Sequence, residues 1–270
     1  KNVILDGATP ANYEAMSALA TEAGVVLGVH ADNISDLYDT VKALEAKGNK
    51  NLILDVTGAN AKETLANAVL VRRTAITDGD RTFVITGDID AMWLRDSGAQ
   101  VWTYIQYIKD DPELQQLIKG VILQQFEFIC LDPYANAFLN DTTQVSHWAT
   151  DFTLMKKGVH ERKYEIDSLC YPIRLAYQYW LLTGDSSIFG DLWKDAMKEI
   201  LALFREQQRK NGPKTSYKFQ RTTHVLHDTS SNYGYGHPAN PCGMIASAFR
   251  PSDDSQIFPY LIPANFFAES

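Results

Sequence analysis

Between Ser168 and Gly184 the chain reads SLCYPIRLAYQYWLLTG, a run in which apolar residues return every three or four positions. That period is one face of an α-helix rather than the alternation of a half-buried strand. The same spacing holds in SGAQVWTYIQYIKD (97–110), LQQLIKGVILQQFEFICLD (114–132) and IFGDLWKDAMKEILALFREQQRK (188–210). The loops between them are heavy in Asp, Asn, Gly and Pro. Helices of this length joined by such loops predict hairpins of packed helices with functional loops at one end, part of an all-α toroid or bundle.

Working outward, the texture changes at Asp78-Gly79-Asp80, and we place a domain boundary there, with one segment at 1–77 and another at 78–270. Before it, short apolar runs alternate with helical periodicity: VILDG (3–7), PANYEAMSALATEAG (10–24), VVLGVHA (25–31), ISDLYDTVKALEAKG (34–48), NLILDVTG (51–58) and AKETLANAVLVRRTAI (61–76). This order predicts a small βαβαβα segment of parallel strands covered on both faces. Helix starts are expected at Thr9-Pro10 and Ser35-Asp36, and helix ends at Gly24 and Gly48. Such a sheet has open edges and calls for more strands or a covering partner.

Composition excludes several classes. With 270 residues and 45% hydrophobic content the chain can bury a sizeable core. A net charge of -8 without a Lys/Arg cluster leaves no footprint for a phosphate backbone, so no nucleic-acid partner is expected. No apolar run reaches the length that spans a bilayer, and no secretion leader opens the chain, so a soluble protein without a membrane partner is expected. It would lie in the periplasm or outside the cell after signal removal, or otherwise in the cytoplasm. Cys130, Cys170 and Cys242 show no metal or iron–sulfur spacing and are expected to be small buried thiols.

Three loops carry candidate chemistry. In Thr86-Gly-Asp-Ile-Asp-Ala-Met-Trp-Leu-Arg-Asp-Ser97, Asp88, Trp93, Arg95 and Asp96 unite acids, a guanidinium and an indole. A sugar, with many hydroxyls and an apolar ring face, needs that combination of bidentate hydrogen bonding and aromatic stacking. The plainer reading is a buried Arg–Asp pair with Asp96 or Ser97 capping a helix. In His160-Glu-Arg-Lys-Tyr-Glu-Ile-Asp-Ser168, acids and bases alternate before an apolar helix; Glu165 and Asp167 would share a face if extended, while Asp167 or Ser168 could serve as a cap. In Arg250-Pro-Ser-Asp-Asp254, adjacent carboxylates beside an arginine suit a carboxyl with a raised pKa, although the same residues also suit a solvated turn. Near it lie Gly234-Tyr-Gly-His-Pro238, offering His237, and Phe258 to Phe267, offering Asn265.

In this order TFVITGDIDAMWLRDSGAQV, ERKYEIDSLCYP and GYGHPANPCGMIASAFRPSDDSQIFPYLIPANFFA resemble glycoside hydrolase family 125, from about Thr82 to Ser270. The resemblance implies an (α/α)6 barrel, exo-hydrolysis of terminal α-1,6-linked mannose with inversion, and no metal or organic cofactor. It implies a general acid in Arg-Pro-Ser-Asp-Asp, either Asp254 or Asp253, and a pocket lined by Asp88, Trp93, Arg95, Asp96, Glu165, Asp167 and Arg250, with hydrogen bonds from His237 and Asn265. An inverting pair stands about 6.5–9.5 Å apart so that water fits between.

ILDGATPANYEAM, GVHADN and LILDVTG resemble a barrel-forming part of the large subunit of the corrinoid iron–sulfur protein, which implies a TIM-barrel-like scaffold and no chemistry of its own. Members of the mannosidase family continue beyond Leu-Ile-Pro-Ala-Asn-Phe-Phe-Ala, and the resemblance places their catalytic base, a glutamate, in that later part. The expectation is therefore a composite chain, truncated relative to the family, whose fold a partner chain could complete. Two other readings stay open: a mannoside-binding or assembly module without turnover, and a fragment of a corrinoid methyl-transfer protein.

Overall fold

The structure, a computed structural model, describes residues 3–49, 51–57, 77–86, 89–212 and 215–270, and the expected helix over 61–76 lies outside them. The chain divides into two compact units, Lys1–Ile76 and Thr77–Ser270.

In the first unit β1 (Ile4–Ala8), α1 (Tyr13–Ala23), β2 (Val26–His30), α2 (Ile34–Ala46) and β3 (Leu52–Asp55) alternate, and the strands form a parallel sheet in the order β1-β2-β3. Leu27 of β2 stands beside Leu5 on one side and Leu52 on the other. Its core joins Ala8, Ala20, Leu27, Val29, Leu37 and Leu44. The expectation of strands covered on both faces holds for β2 but not for its neighbours, where Ile4 and Ile53 are about half exposed. The physical reason is position: β2 lies between two strands, whereas β1 and β3 are the outer strands of this sheet. α1 ends at Gly24 in the left-handed conformation (φ 63°), which satisfies its last carbonyls at little steric cost. α2 starts at Asn33, whose side chain accepts from the Asp36 N–H, slightly ahead of the expected Ser35.

The second unit is mostly helical. It holds α3 (Leu94–Trp102), α4 (Pro112–Leu131), α5 (Ile166–Thr183), α6 (Asp191–Gln207) and α7 (Ile262–Glu269). α4 packs against both α5 and α6, and α5 also receives α3 and α7. Packed on several sides, α4 buries Ile118, Val121, Ile122, Phe126, Phe128 and Ile129, while Glu113, Gln116 and Glu127 remain exposed. Asp111 caps it by accepting from the Glu113 and Leu114 N–H groups, and Pro112 takes the first turn, where no donor is needed. A hairpin of β4 (Thr77–Asp78) and β5 (Arg81–Thr82) lies against α4 at Gly120, where any Cβ would collide with Thr82.

Three short antiparallel strands, β6 (Met92–Trp93), β7 (Ala137–Phe138) and β8 (Val159–Glu161), form a sheet with β7 central. Its backbone bonds continue past the strands: the Leu94 N–H donates to the Asn136 carbonyl and the Asn136 N–H to that of Glu161. The start of α3, the approach to β7 and the approach to α5 are thereby brought side by side.

Several expectations are corrected here. α3 begins at Trp93, so neither Asp96 nor Ser97 is its cap; both lie in its first turn, and the Ser97 hydroxyl donates to the Leu94 carbonyl. α5 begins at Glu165, not at Asp167 or Ser168. Acids and bases in His160–Ser168 do not alternate between core and solvent, since every residue from 158 to 170 is buried. Of the cysteines only Cys170 is buried; Cys130 is half-buried and Cys242 exposed. Among the described residues no helix is long and apolar enough to cross a membrane.

Candidate active site

Arg95, in the first turn of α3, is the centre of the site. Its Nη1 lies 2.7 Å from Glu165 Oε2 and 3.4 Å from Asp167 Oδ2, and its Nη2 lies 3.4 Å from Asp96 Oδ2 and 3.8 Å from Asp253 Oδ1. Four carboxyl groups thus face one guanidinium whose side chain is 14% exposed. Burial alone would lower the Arg95 pKa, but Glu165, then Asp167, Asp96 and Asp253 outweigh it and hold the cation firmly charged.

One cation faces more carboxyl groups than it can neutralise, and the buried ones have raised proton affinities. Burial pushes Glu165 well above the usual carboxylate range, against the pull of Arg95, and also raises Asp167. The Ser168 hydroxyl donates to the same Glu165 oxygen that Arg95 holds, while Glu165 Oε1 and Asp167 Oδ1 have no donor. Asp253 is raised first by burial and next by Glu161.

The turn from Arg250 to Asp254 separates the two adjacent aspartates. The Asp253 N–H donates to the Arg250 carbonyl, the Arg250 N–H donates to the Asp254 carbonyl, and Phe249 pairs with Ser255 across the turn. Asp253 takes a left-handed backbone (φ 61°), which Asp tolerates better than most residues and which directs its side chain toward Arg95. Asp254 meets the Arg250 guanidinium (2.5 and 3.1 Å) and the Ser252 hydroxyl (2.8 Å), and these hydrogen bonds hold it below the usual range. The two adjacent aspartates are thus shifted in opposite directions, Asp253 up and Asp254 down.

Behind the site lies a second charge cluster. Arg221 grips Asp151 through two nitrogens (2.9 and 2.6 Å), reaches Glu161 at 2.8 Å and Asp228 at 3.3 Å, and stacks on Trp148 with its guanidinium carbon 3.7 Å from the ring centre. Lys163 lies 2.5 Å from Asp228 and 3.5 Å from Glu161. Asn136 connects the clusters: its amide donates to Glu161 (3.0 Å) and Asp253 (3.4 Å), and its side-chain oxygen accepts from the Lys163 N–H.

Of the residues expected from sequence, Arg95, Asp96, Glu165, Asp167 and Asp253 meet. Asp254 and Arg250 form the pair beside them. Trp93 is half-buried, its ring set edge-on to His160 at 5.3 Å. His237 is exposed on its loop, and the Asn265 side chain is taken by the backbone of Ile245 and Leu261; neither joins the cluster. Asp88 lies outside the described residues. Sequence reasoning passed over Asn136, Glu161, Lys163 and Arg221. Glu161 and Lys163 belong to a motif already singled out, whereas nothing local marks Asn136 or Arg221.

A largely buried arginine ringed by carboxyl groups is an arrangement able to hold the hydroxyls of a sugar by charge-assisted hydrogen bonds. The chain belongs to glycoside hydrolase family 125, the metal-independent alpha-mannosidases, whose family model matches residues 53–270. The match reaches back well before Thr82 and includes the stretch 61–76 that the alternating pattern assigns to the βα series. A solved Streptococcus pneumoniae alpha-mannosidase of this metal-independent type, in a non-productive complex with alpha-1,6-mannobiose, is similar at 46% identity and a TM-score of 0.67, covering 72% of this chain and 45% of that one. The meiotically up-regulated gene 157 protein of Schizosaccharomyces pombe is 40% identical over 202 residues, 68% of this chain and 39% of that protein. The corrinoid/iron-sulfur protein large subunit of Moorella thermoacetica is 38% identical over 80 residues, 30% of this chain and 18% of that subunit. The chain therefore spans less than half the length of each of these relatives.

Proposed function

We propose that the helical unit supplies the acid and the sugar-holding side of an exo-acting α-1,6-mannosidase on an (α/α)6 barrel, working with inversion. The observation that carries this reading is the division of labour within Arg250–Asp254. Asp253 turns into the Arg95 cluster, where burial and Glu161 raise its proton affinity, while Arg250 and Ser252 lower that of Asp254. In this reading Asp253 protonates the glycosidic oxygen as the bond to the terminal mannose breaks, and a base on the opposite face of the ring activates water. Arg95, Asp96 and Asp167 would orient the sugar hydroxyls, with charged groups strengthening each hydrogen bond.

The test is incubation with α-1,6-mannobiose, with the anomer of released mannose followed by NMR and mannose binding by calorimetry. We expect β-mannose as the first product, with Asp253→Asn lowering turnover by about 10²–10⁴-fold and Asp254→Asn by far less. α-Mannose as first product would overturn inversion, and faster cleavage of other linkages would overturn the substrate class. Mannose binding without release would leave the chain a recognition module.

A further inference from the structure

The Asn136 amide group is shared by two acids, Glu161 at 3.0 Å and Asp253 at 3.4 Å. Its orientation is fixed, because its oxygen accepts from the Lys163 N–H at 3.0 Å, its backbone N–H donates to Glu161 and its carbonyl accepts from Leu94. Two carboxyl groups joined through one amide repel if both are ionised. Glu161 has cations of its own, with Arg221 at 2.8 Å and Lys163 at 3.5 Å, and its side chain is only 6% exposed. Among the described residues the cation within 4 Å of the Asp253 carboxyl is Arg95, at 3.8 Å and shared with three other acids.

We propose that Glu161, paired with Arg221 and Lys163 and linked to Asp253 through the Asn136 amide, is a positioning residue that keeps the acid's proton on Asp253. This rests on the reading of Asp253 as the acid. The groups facing Asp253 are Glu161 and Lys163 from β8 and the segment after it, Glu165 from the start of α5, and Arg95 from α3. Burial and Glu161 favour the proton; the neighbouring Glu165 carboxyl and the charges of Lys163 and Arg95 oppose it. Arg250 and Asp254, on its own turn, pair with each other.

Glu161 and Lys163 act on Asp253 with opposite charges and give a test with opposite signs. Aspartate side-chain carboxyls of the full chain are titrated by carbon-13 NMR, and the Asp253 signal is assigned by its loss in Asp253→Asn. Glu161→Gln should move the Asp253 midpoint to lower pH, Lys163→Met should move it to higher pH, and Glu161→Asp, which keeps the charge, should lie between Glu161→Gln and the parent. Midpoints that stay put, or that move the same way in Glu161→Gln and Lys163→Met, would overturn the proposal. Should Glu161→Gln lose its native circular dichroism spectrum, the sign of the Lys163→Met shift alone decides. Opposite shifts in a chain that neither binds nor cleaves mannosides would keep the coupling and remove the mannosidase reading. An unmoved midpoint beside hydrolysis that depends on Asp253 would do the reverse.

Discussion

Among the described residues of the unit spanning Lys1–Ile76, the buried polar side chains are Ser17 and Thr40, set around an aliphatic core of Leu27, Val29, Leu37 and Leu44. The interior of the unit spanning Thr77–Ser270 instead holds Asp132, Asp151, Glu161, Arg162, Lys163, Glu165, Asp167, Arg209 and Arg221. An aliphatic interior is stabilised by the apolar area it removes from water and is indifferent to pH. A charged interior costs desolvation for every ion and persists only where each has a partner or a proton. The contrast points to the second unit, where the buried charges gather in partnered clusters and the proton affinities of Glu165, Asp167 and Asp253 are raised, as sites require.

The largest effect expected from this contrast is at Arg95. Arg95→Met leaves Glu165 and Asp167 buried without their cation, which costs about 3–5 kcal/mol for a truncated buried ion pair. The sign of its pH dependence follows from the carboxyls. A carboxyl whose folded pKa is raised favours the fold below the ordinary carboxylate range, and that contribution is lost as pH rises through the raised value. Glu165 and Asp167 are already raised by burial and lose the opposing pull of Arg95. Urea denaturation at several pH values should therefore find the variant closest to the parent in acid and furthest from it toward neutrality. A cost within about 0.5 kcal/mol at all pH values, the ordinary scale of surface substitutions, would erase the distinction between the two interiors.

Leu27→Ala is the counterpart in the first unit. Leu27 is fully buried in the central strand, and the cavity should cost about 2–5 kcal/mol. Here no slope with pH is expected beyond that of the parent, because no charge changes partner. A pH-dependent loss at Leu27 would show that this core is not the simple aliphatic one described.

How far sequence alone reaches differs along the same lines. The helices over Pro112–Leu131, Ile166–Thr183 and Asp191–Gln207 are legible because their apolar period is long and unbroken. β6, β7 and β8 are not, since strands of two or three residues exist only through their neighbours and carry too few positions for an alternation. At the site, Arg95, Glu165, Asp167 and the Asp253-Asp254 pair stand out as charged residues in aromatic surroundings. Their roles do not, because burial decides protonation, and all of the segment from 158 to 170 is buried where its composition suggests solvent. Asn136 meets Asp253 across 117 positions of sequence, a contact that no local pattern announces. Which of Asp253 and Asp254 faces Arg95 turns on one left-handed residue, a property of the turn rather than of either side chain.

The smallest expected effect tests a carboxylate displaced the other way. Asp185, between α5 and α6, accepts from the Ser187 N–H at 2.9 Å, from Lys119 at 2.9 Å and from the Tyr179 hydroxyl at 3.0 Å. Burial would raise its pKa, but these donors, Ser187 and Lys119 foremost, hold it far below the usual range. A carboxyl whose folded pKa is lowered contributes stability that is present above the ordinary carboxylate range and lost as pH falls through the lowered value. Because the group is partly exposed, solvent screening limits the contribution, and Asp185→Asn should cost about 0.5–1 kcal/mol near neutrality. In strong acid the variant and the parent should converge, since both then carry an uncharged group at this position. Arg95→Met and Asp185→Asn each approach the parent in acid, but for different reasons: the first because buried acids gain protons they lack a cation to replace, the second because a carboxylate loses the charge its donors were holding. Adding Glu165→Gln to Arg95→Met should flatten the first slope and leave the second untouched, whereas Lys119→Met should weaken the second alone.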